Sequence, residues 1–105
     1  MKRTKVDDDR TILKELQTIP GVGPSIAQDL YDLGIRRVAD LRSRDPERMY
    51  HAHERQRGVP VDRCLLYVFR CAVYYASART PDTELLKWWN WKDGAGITGM
   101  RRRRQ

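Results

Sequence analysis

The residues with the clearest chemical potential form a short segment rich in glycine and proline. Residues 20–25 read Pro-Gly-Val-Gly-Pro-Ser, with glycine at positions 21 and 23. Glycine lets the backbone turn sharply and projects no side chain, so the main-chain amides of residues 21–25 can approach an anion closely. A helix that begins at Pro24 would add the positive end of its dipole. A nucleic-acid phosphate is the natural ligand, and because main-chain amides do not read bases, we expect binding without sequence preference.

A second group of side chains contains the residue types that bind zinc: His51, His53, Cys64 and Cys71. Histidines two positions apart on a helix point to different sides, and cysteines seven positions apart cannot share one metal ion. The two cysteine backbones lie about two helical turns, roughly 10 Å, apart, which also excludes an intrachain disulfide. We therefore expect no metal site, and we expect the cysteines to act as small apolar residues on an internal helix face.

Three tryptophans towards the end of the chain allow two interpretations. Trp88, Trp89 and Trp91 could stack on unpaired bases of a nucleic acid. Such a cluster more often packs back over the thin core of a small domain. We expect packing for at least two of the three.

The positive charge of the chain is concentrated at its end. The 105 residues carry 21 Lys and Arg against 14 Asp and Glu, a formal charge of +7. Residues 1–10 contribute +1, residues 11–100 contribute +2, and the run Arg101 to Arg104 contributes +4. This run would raise affinity for any polyanion. Before this run, the one basic stretch is residues 34–57. Three of its arginines could contact phosphates beside the glycine-rich segment 20–25, or they could be solvated surface residues only: Arg36, Arg37 and Arg57.

Composition and motifs argue against a membrane protein and against an enzyme. A third of the residues are charged, and no apolar stretch approaches the roughly 20 residues of a membrane span. No apolar region of a secretory signal follows the N-terminus, so a cytoplasmic location is expected. There is no nucleophile with a base and an orienting group at recognisable spacing, no Walker loop and no carboxylate pair. We expect neither catalysis nor a small-molecule substrate.

Helices must position these residues, because no segment shows the sustained alternation of a strand. Apolar spacing, capping residues, and glycine or proline stops predict six helical segments: residues 9–19, 24–33, 35–41, 46–58, 63–78 and 84–91. The apolar residues of segment 63–78 cover more than one face, so this helix should lie at the centre. Residues 1–8 are expected to be a flexible N-terminus, residues 9–92 one domain, and residues 93–105 a flexible basic tail.

The segment around the hairpin resembles the helix-hairpin-helix motif of DNA repair and recombination proteins. A Gly-apolar-Gly core follows Leu-x-x-Ile-Pro, Ala27 and Leu30 come after it, and Gly34 closes the motif. Many DNA-gripping members carry Lys and then Ser or Thr before the Ala, where this chain carries Ser25 and Ile26. The resemblance implies that the hairpin grips one DNA strand. It also implies a monovalent cation held by hairpin carbonyls, and no other cofactor.

A longer stretch, residues 11–92, resembles the small bacterial pathogenicity-locus family, whose members are often labelled mitomycin resistance proteins. The matching segments occur in order: residues 34–41, Asp45-Pro46-Glu47 to Tyr50, Asp62-x-Cys64, residues 68–75, and Trp88-Trp89-x-Trp91-Lys92. The resemblance implies an all-α, five-helix fold, either SAM-like or a doubled helix-hairpin-helix bundle, with a short Trp-rich C-terminal helix. Residues 57–60 would stand in the place of a second, degenerate hairpin.

These observations predict a module that binds the DNA backbone without sequence specificity and that is linked to the DNA damage response or to repair. The binding residues would be Gly21, Val22, Gly23, Pro24 and Ser25, supported by Arg36, Arg37 and Arg57. The alternative is a protein-interaction or oligomerisation module of SAM-like fold, in which the hairpin is purely structural and the partner is a protein.

Overall fold

The computed structural model describes residues 5–93, and all regular secondary structure in this part of the chain is helical. It contains four α-helices: α1 (Lys5–Leu16), α2 (Pro24–Asp32), α3 (Pro46–Arg57) and α4 (Arg63–Ser77). Three 3-10 turns lie between and after them, at Val38–Leu41, Thr83–Leu86 and Trp88–Trp91. No strand occurs among the described residues, so the all-α prediction is confirmed. None of these helices is long and apolar enough to span a bilayer.

Helix α4 lies at the centre of the domain, as its apolar pattern predicts. Eight of its fifteen residues are buried, and it packs against α3 and against all three 3-10 turns. On the other side of the core α1 packs against α2, and the two contribute fully buried residues such as Leu16 and Leu30. A helix buried on several faces must be apolar on several faces, which explains the composition of α4.

The ends of α3 follow the capping signals of the sequence. The Asp45 carboxylate accepts hydrogen bonds from the amides of Glu47 (2.9 Å) and Arg48 (3.4 Å), and Pro46 occupies the first helical position. At the other end Gly58 adopts a left-handed φ of 73° and donates to the Glu54 carbonyl (2.8 Å). Met49, Tyr50 and His53 point inward, as predicted.

Three predicted helices differ from the structure in extent. Helix α1 begins at Lys5, inside the segment 1–8 that was expected to be flexible, and ends at Leu16 rather than at residue 19, because bonds to residue i−3 tighten the chain there. Segment 35–41 forms only the first 3-10 turn, since the Asp40 carboxylate accepts hydrogen bonds from the amides of Arg36 (2.9 Å) and Arg37 (3.1 Å). Segment 84–91 forms two 3-10 turns that meet at Lys87.

Asp93 is the last residue that the structure describes towards the C-terminus, and it contacts α4. Asp93, expected to open the tail, forms ion pairs with Arg63 (2.7 Å) and Arg70 (3.0 Å). The rest of the predicted tail, residues 94–105, lies outside the described residues, as do residues 1–4.

The two cysteines are free and occupy different environments on α4. Cys64 is exposed, whereas Cys71 is fully buried. Burial raises the pKa of the Cys71 thiol to about 11. The thiolate, which is the reactive form, is therefore scarce at Cys71 near neutral pH.

We predict that thiol reagents distinguish the two residues. At pH 8 the thiolate of Cys71 should be populated at about one part in a thousand, so iodoacetamide should modify Cys64 in the native protein and both cysteines in denaturant. Mass spectrometry of the labelled protein measures this. Comparable labelling of both cysteines in the native state would contradict the burial of Cys71, and Cys64→Ser should leave the native protein unlabelled.

Candidate functional site

The glycine hairpin, residues 20–25, joins α1 to α2 through a closed turn. The Val22 amide donates to the Ile19 carbonyl (3.0 Å), and Gly21 has a φ of 85°. Proline at the second position and a positive φ at the third are the requirements of a type II turn, and Pro20 and Gly21 meet them. The sequence therefore specifies the turn directly.

One side chain anchors the hairpin, and the rest of it faces outward. Val22 is only 6% exposed and belongs to the core together with Ile19 and Ala27. Gly21, Gly23, Pro24 and Ser25 are exposed. The buried valine fixes the hairpin to the domain, so its exposed backbone is held in one orientation.

The start of α2 lacks a capping side chain. Gly23 is the N-cap residue and offers no side-chain hydrogen bond, and the first helical bond is from the Ala27 amide to the Gly23 carbonyl (2.9 Å). Within residues 5–93, four amides of this segment donate no hydrogen bond to the chain: those of Gly21, Gly23, Ser25 and Ile26. Such amides, together with the helix dipole, form an arrangement that accepts an anion.

The corresponding connection between α3 and α4, residues 58–62, is filled by carboxylates of the chain itself. Asp62 accepts the Cys64 amide (2.9 Å) at the start of α4, and Glu54 accepts the Val61 amide (3.4 Å). Hydrogen bonds from His51 and from the Val61 backbone hold the pKa of Glu54 below its usual range. Two negative groups thus lie where a phosphate would have to bind, so this connection is unsuited to an anion.

The tryptophan segment, residues 87–93, lies over the glycine hairpin. A Cβ atom built on Gly21 would come within 3.1 Å of Trp88 Cδ1, so the indole of Trp88 rests directly on the turn. Trp88 is half-buried and Trp91 is 4% exposed, which confirms the prediction that at least two of the three tryptophans pack on the core. The positive φ of Gly21 strains any other residue at this position, and a Cβ there would also require Trp88 to shift slightly.

A buried arginine on α4 holds the tryptophan segment in place. Arg70 is 6% exposed, and its guanidinium donates to the Trp91 carbonyl (2.7 Å) and to the Glu47 carboxylate (2.6 Å). It also pairs with Asp93 (3.0 Å), which pairs in turn with Arg63 (2.7 Å). These neighbours hold the pKa of Asp93 below its usual range, with the Arg63 hydrogen bond as the main cause.

Two of the three predicted arginines, Arg36 and Arg37, lie at the opposite end of α2 from the hairpin. Arg36 and Arg37 follow the C-terminal end of α2, which is nine residues and about 13 Å long, whereas the hairpin precedes its N-terminal end. The Arg36 guanidinium lies 3.8 Å from the Tyr31 ring centroid and donates to the Tyr31 carbonyl (2.7 Å). Arg57 ends α3, and its charge acts on Asp29 of α2, whose pKa is raised by burial. The structure thus keeps residues 21–25 together and separates Arg36 and Arg37 from them by the length of α2.

The residue types that bind zinc are dispersed. His51 and Cys64 are exposed, whereas His53 and Cys71 are buried. His53 lies 3.8 Å from Asp29, across the contact of α3 with α2. Among residues 5–93 no three His, Cys, Asp or Glu side chains are placed to hold a metal ion.

Two features of the site were not found from the sequence. The role of Arg70 has one sequence signal, a single charged residue between Phe69 and Cys71 in the middle of an apolar helix. A buried charge needs partners, so this position indicates an ion pair, although not which residues form it. The contact of Trp88 with Gly21 joins residues 67 positions apart and has no local signal.

Fold and site define a small all-helical domain that presents an uncapped glycine hairpin. Residues 9–95 match the family described as pathogenicity locus, and the chain belongs to that family, as its sequence pattern predicted. The mitomycin resistance protein McrB of Streptomyces lavendulae is 32% identical over 77 residues, which cover 73% of this chain and 70% of that protein. No solved structure matches the chain.

We predict that Arg70→Ala destabilises the domain far more than Arg63→Ala, although both arginines pair with Asp93. Arg70 is buried, and losing its charge-assisted hydrogen bonds should cost about 2–3 kcal/mol, or about 10 °C in melting temperature. Arg63 is half exposed, and its pair should contribute about 0–1 kcal/mol. Thermal denaturation followed by circular dichroism gives both values. Equal losses in the two variants would show that the tryptophan segment is not held by Arg70.

Proposed function

We propose that this domain binds the sugar–phosphate backbone of DNA, without sequence preference, through the glycine hairpin. In this proposal α1, the hairpin and α2 form a helix-hairpin-helix unit, and α3, residues 58–62 and α4 form a degenerate second unit of a SAM-like bundle. The first 3-10 turn takes the place of the linking helix. The domain acts in the cytoplasm as a binding module rather than as an enzyme.

One observation carries the proposal: the amides of Gly21, Gly23, Ser25 and Ile26, at the positive end of α2, have no acceptor within the described chain. Each amide bonded to a phosphate oxygen would form a charge-assisted hydrogen bond. The helix dipole adds about 0.3–1 kcal/mol for a negative group in this position. Because every nucleotide carries the same phosphate, these contacts position the protein and select no sequence.

The absence of side chains at the two glycines explains how a DNA strand could reach those amides. Nothing lies within 4 Å of the position that a Gly23 Cβ would occupy, so the space above the start of α2 is open. Gly21 is covered by Trp88 on one side only and remains exposed. A backbone phosphate can therefore approach from the side of Gly23.

The hairpin has free carbonyl oxygens that could bind a monovalent cation. The carbonyls of Ile19 and Gly23 accept hydrogen bonds from the amides of Val22 and Ala27. The carbonyls of Pro20, Gly21 and Val22 accept no hydrogen bond within the described residues. Carbonyl oxygens are ligands for hard cations. A bound cation would add positive charge next to the phosphate.

Similarity to a protein named for mitomycin resistance supports the cellular part of the proposal. We place this chain in the DNA damage response or in repair on that ground, together with the hairpin. The alternative, a protein-interaction or oligomerisation module, has one observation in its favour. Val59, in the connection between α3 and α4, is 51% exposed, an apolar group that a protein partner could cover.

We predict that Gly23→Asp weakens DNA binding while the fold stays as stable or becomes more stable. Gly23 has the extended φ of −97° that suits an N-cap residue, and aspartate there would accept the amides of Ser25 or Ile26. The same carboxylate would repel a phosphate. Losing charge-assisted contacts should weaken binding by about tenfold or more, measured by fluorescence anisotropy with a labelled duplex.

Ala39→Asp is the matched control for this variant. Ala39 is exposed in the first 3-10 turn, and its substitution changes the net charge by the same amount away from the hairpin. It should weaken binding by less than about twofold. A folded Gly23→Asp variant that binds DNA as tightly as the unchanged chain would overturn the proposal.

We predict that the folded part binds DNA without the terminal arginines. Replacing Arg101 to Arg104 by glutamine should lower affinity at low salt and reduce the slope of log affinity against log salt by up to about four. Binding that remains should not depend on base sequence. Complete loss of binding in this variant, together with a stoichiometric protein partner recovered after nuclease treatment, would favour the alternative.

A further inference from the structure

Trp89 is an exposed aromatic side chain beside the glycine hairpin. It is 49% exposed, and among residues 9–93 only Val59 is a comparably exposed large apolar residue. The other two tryptophans of the segment pack on the domain, so packing does not explain the third. About half of this indole is left in water, so a ligand could still cover it.

The position of Trp89 is fixed by its neighbours. Its ring packs edge-on against Trp88, with ring centroids 5.7 Å apart and an interplanar angle of 83°. Trp88 in turn lies on Gly21. Two further bonds hold the 3-10 turn that carries these residues: Trp91 Nε1 donates to the Leu85 carbonyl (2.7 Å), and Arg70 donates to the Trp91 carbonyl (2.7 Å). Trp89 is therefore held one indole away from the hairpin.

We propose that Trp89 is a stacking platform for an unpaired DNA base, next to the phosphate bound by the hairpin. This inference rests on the proposed function and defines its ligand as DNA with unpaired bases, single-stranded or at the end of a duplex. An indole can stack on any base, because every base has a π face, so the platform keeps the binding free of sequence preference. A base inside a duplex has both faces covered by its neighbours and cannot stack on Trp89.

Gly21 contacts Trp88, and Trp88 packs against Trp89, so the proposed phosphate site and the exposed indole lie on the same part of the domain. The amides of Gly23 and Ser25 would hold the backbone, and the base of the same or the next nucleotide would extend past Trp88 towards Trp89. Proteins that bind single strands combine a backbone-binding groove with aromatic side chains in this way. Because Trp89 is already held in place, little conformational entropy is lost when a base stacks on it.

The test uses the full chain and three DNA probes with equal numbers of phosphates: a single-stranded oligonucleotide, an abasic strand of the same length and a blunt duplex. Anisotropy gives the affinity of the unchanged protein and of Trp89→Ala, Trp89→Phe and Gly23→Asp. We expect the unchanged protein to prefer the single strand over the abasic strand. Trp89→Ala should lose about tenfold for the single strand and little for the other two probes, whereas Trp89→Phe should keep most of the affinity.

The outcomes separate the platform from the hairpin. If Trp89→Ala weakens all three probes equally, or none of them, Trp89 does not stack on bases, and the inference is overturned while the hairpin proposal stands. If Gly23→Asp leaves all affinities unchanged, the proposed function fails instead, whatever Trp89→Ala does. An unchanged melting temperature of Trp89→Ala, expected for a half-exposed side chain, shows that the comparison concerns folded proteins.

Discussion

The guanidinium of Arg70 is the group on which the C-terminal part of the domain depends. A charge buried on the central helix is costly unless its hydrogen bonds are satisfied. Arg70 meets most of this requirement through its two terminal nitrogens, which bind the carboxylates of Glu47 and Asp93 and the carbonyl of Trp91, whereas its buried Nε has no partner within the described residues. These contacts fix the last turn of the fold, so Trp91 is buried and Trp88 lies on Gly21. The glycine hairpin is consequently supported from two directions, by Val22 in the core and by an indole from above.

The α1–α2 and α3–α4 connections differ in charge, and this difference decides which of the two can accept an anion. At the α3–α4 connection, the carboxylates of Asp62 and Glu54 accept hydrogen bonds from nearby backbone amides. The start of α3 is capped by the Asp45 carboxylate. The start of α2 has glycine in the capping position, and its first amides have no acceptor within the described chain. The domain therefore presents a single anion-accepting helix start among α2, α3 and α4, and net charge contributes little to this selectivity. Four of the seven positive charges belong to Arg101 to Arg104, outside the described residues.

The sequence predicted those parts of the fold that depend on local signals. Asp45, Pro46 and Gly58 define α3 by themselves, and the apolar faces of α4 place it at the centre. The hairpin turn follows from Pro20 and Gly21. The short segments 35–41 and 84–91 were predicted as helices and form 3-10 turns, because at that length side-chain bonds such as those of Asp40 outweigh the gain from an α-helical turn. Proximity in sequence suggested that Arg36 and Arg37 lie beside the hairpin, but the length of α2 separates them from it. The Trp88–Gly21 and Arg70–Trp91 contacts join distant residues, so no local pattern could predict them.

Amide chemical shifts test the central claim of this account most directly. In a titration of the 15N-labelled full chain with a short DNA oligonucleotide, the hairpin account predicts that the largest changes occur at Gly21, Gly23, Ser25 and Ile26. The amides of Val61 and Cys64, which are bonded to Glu54 and Asp62, should change little. Changes confined to residues 94–105, with the hairpin amides unmoved at saturating DNA, would contradict the account.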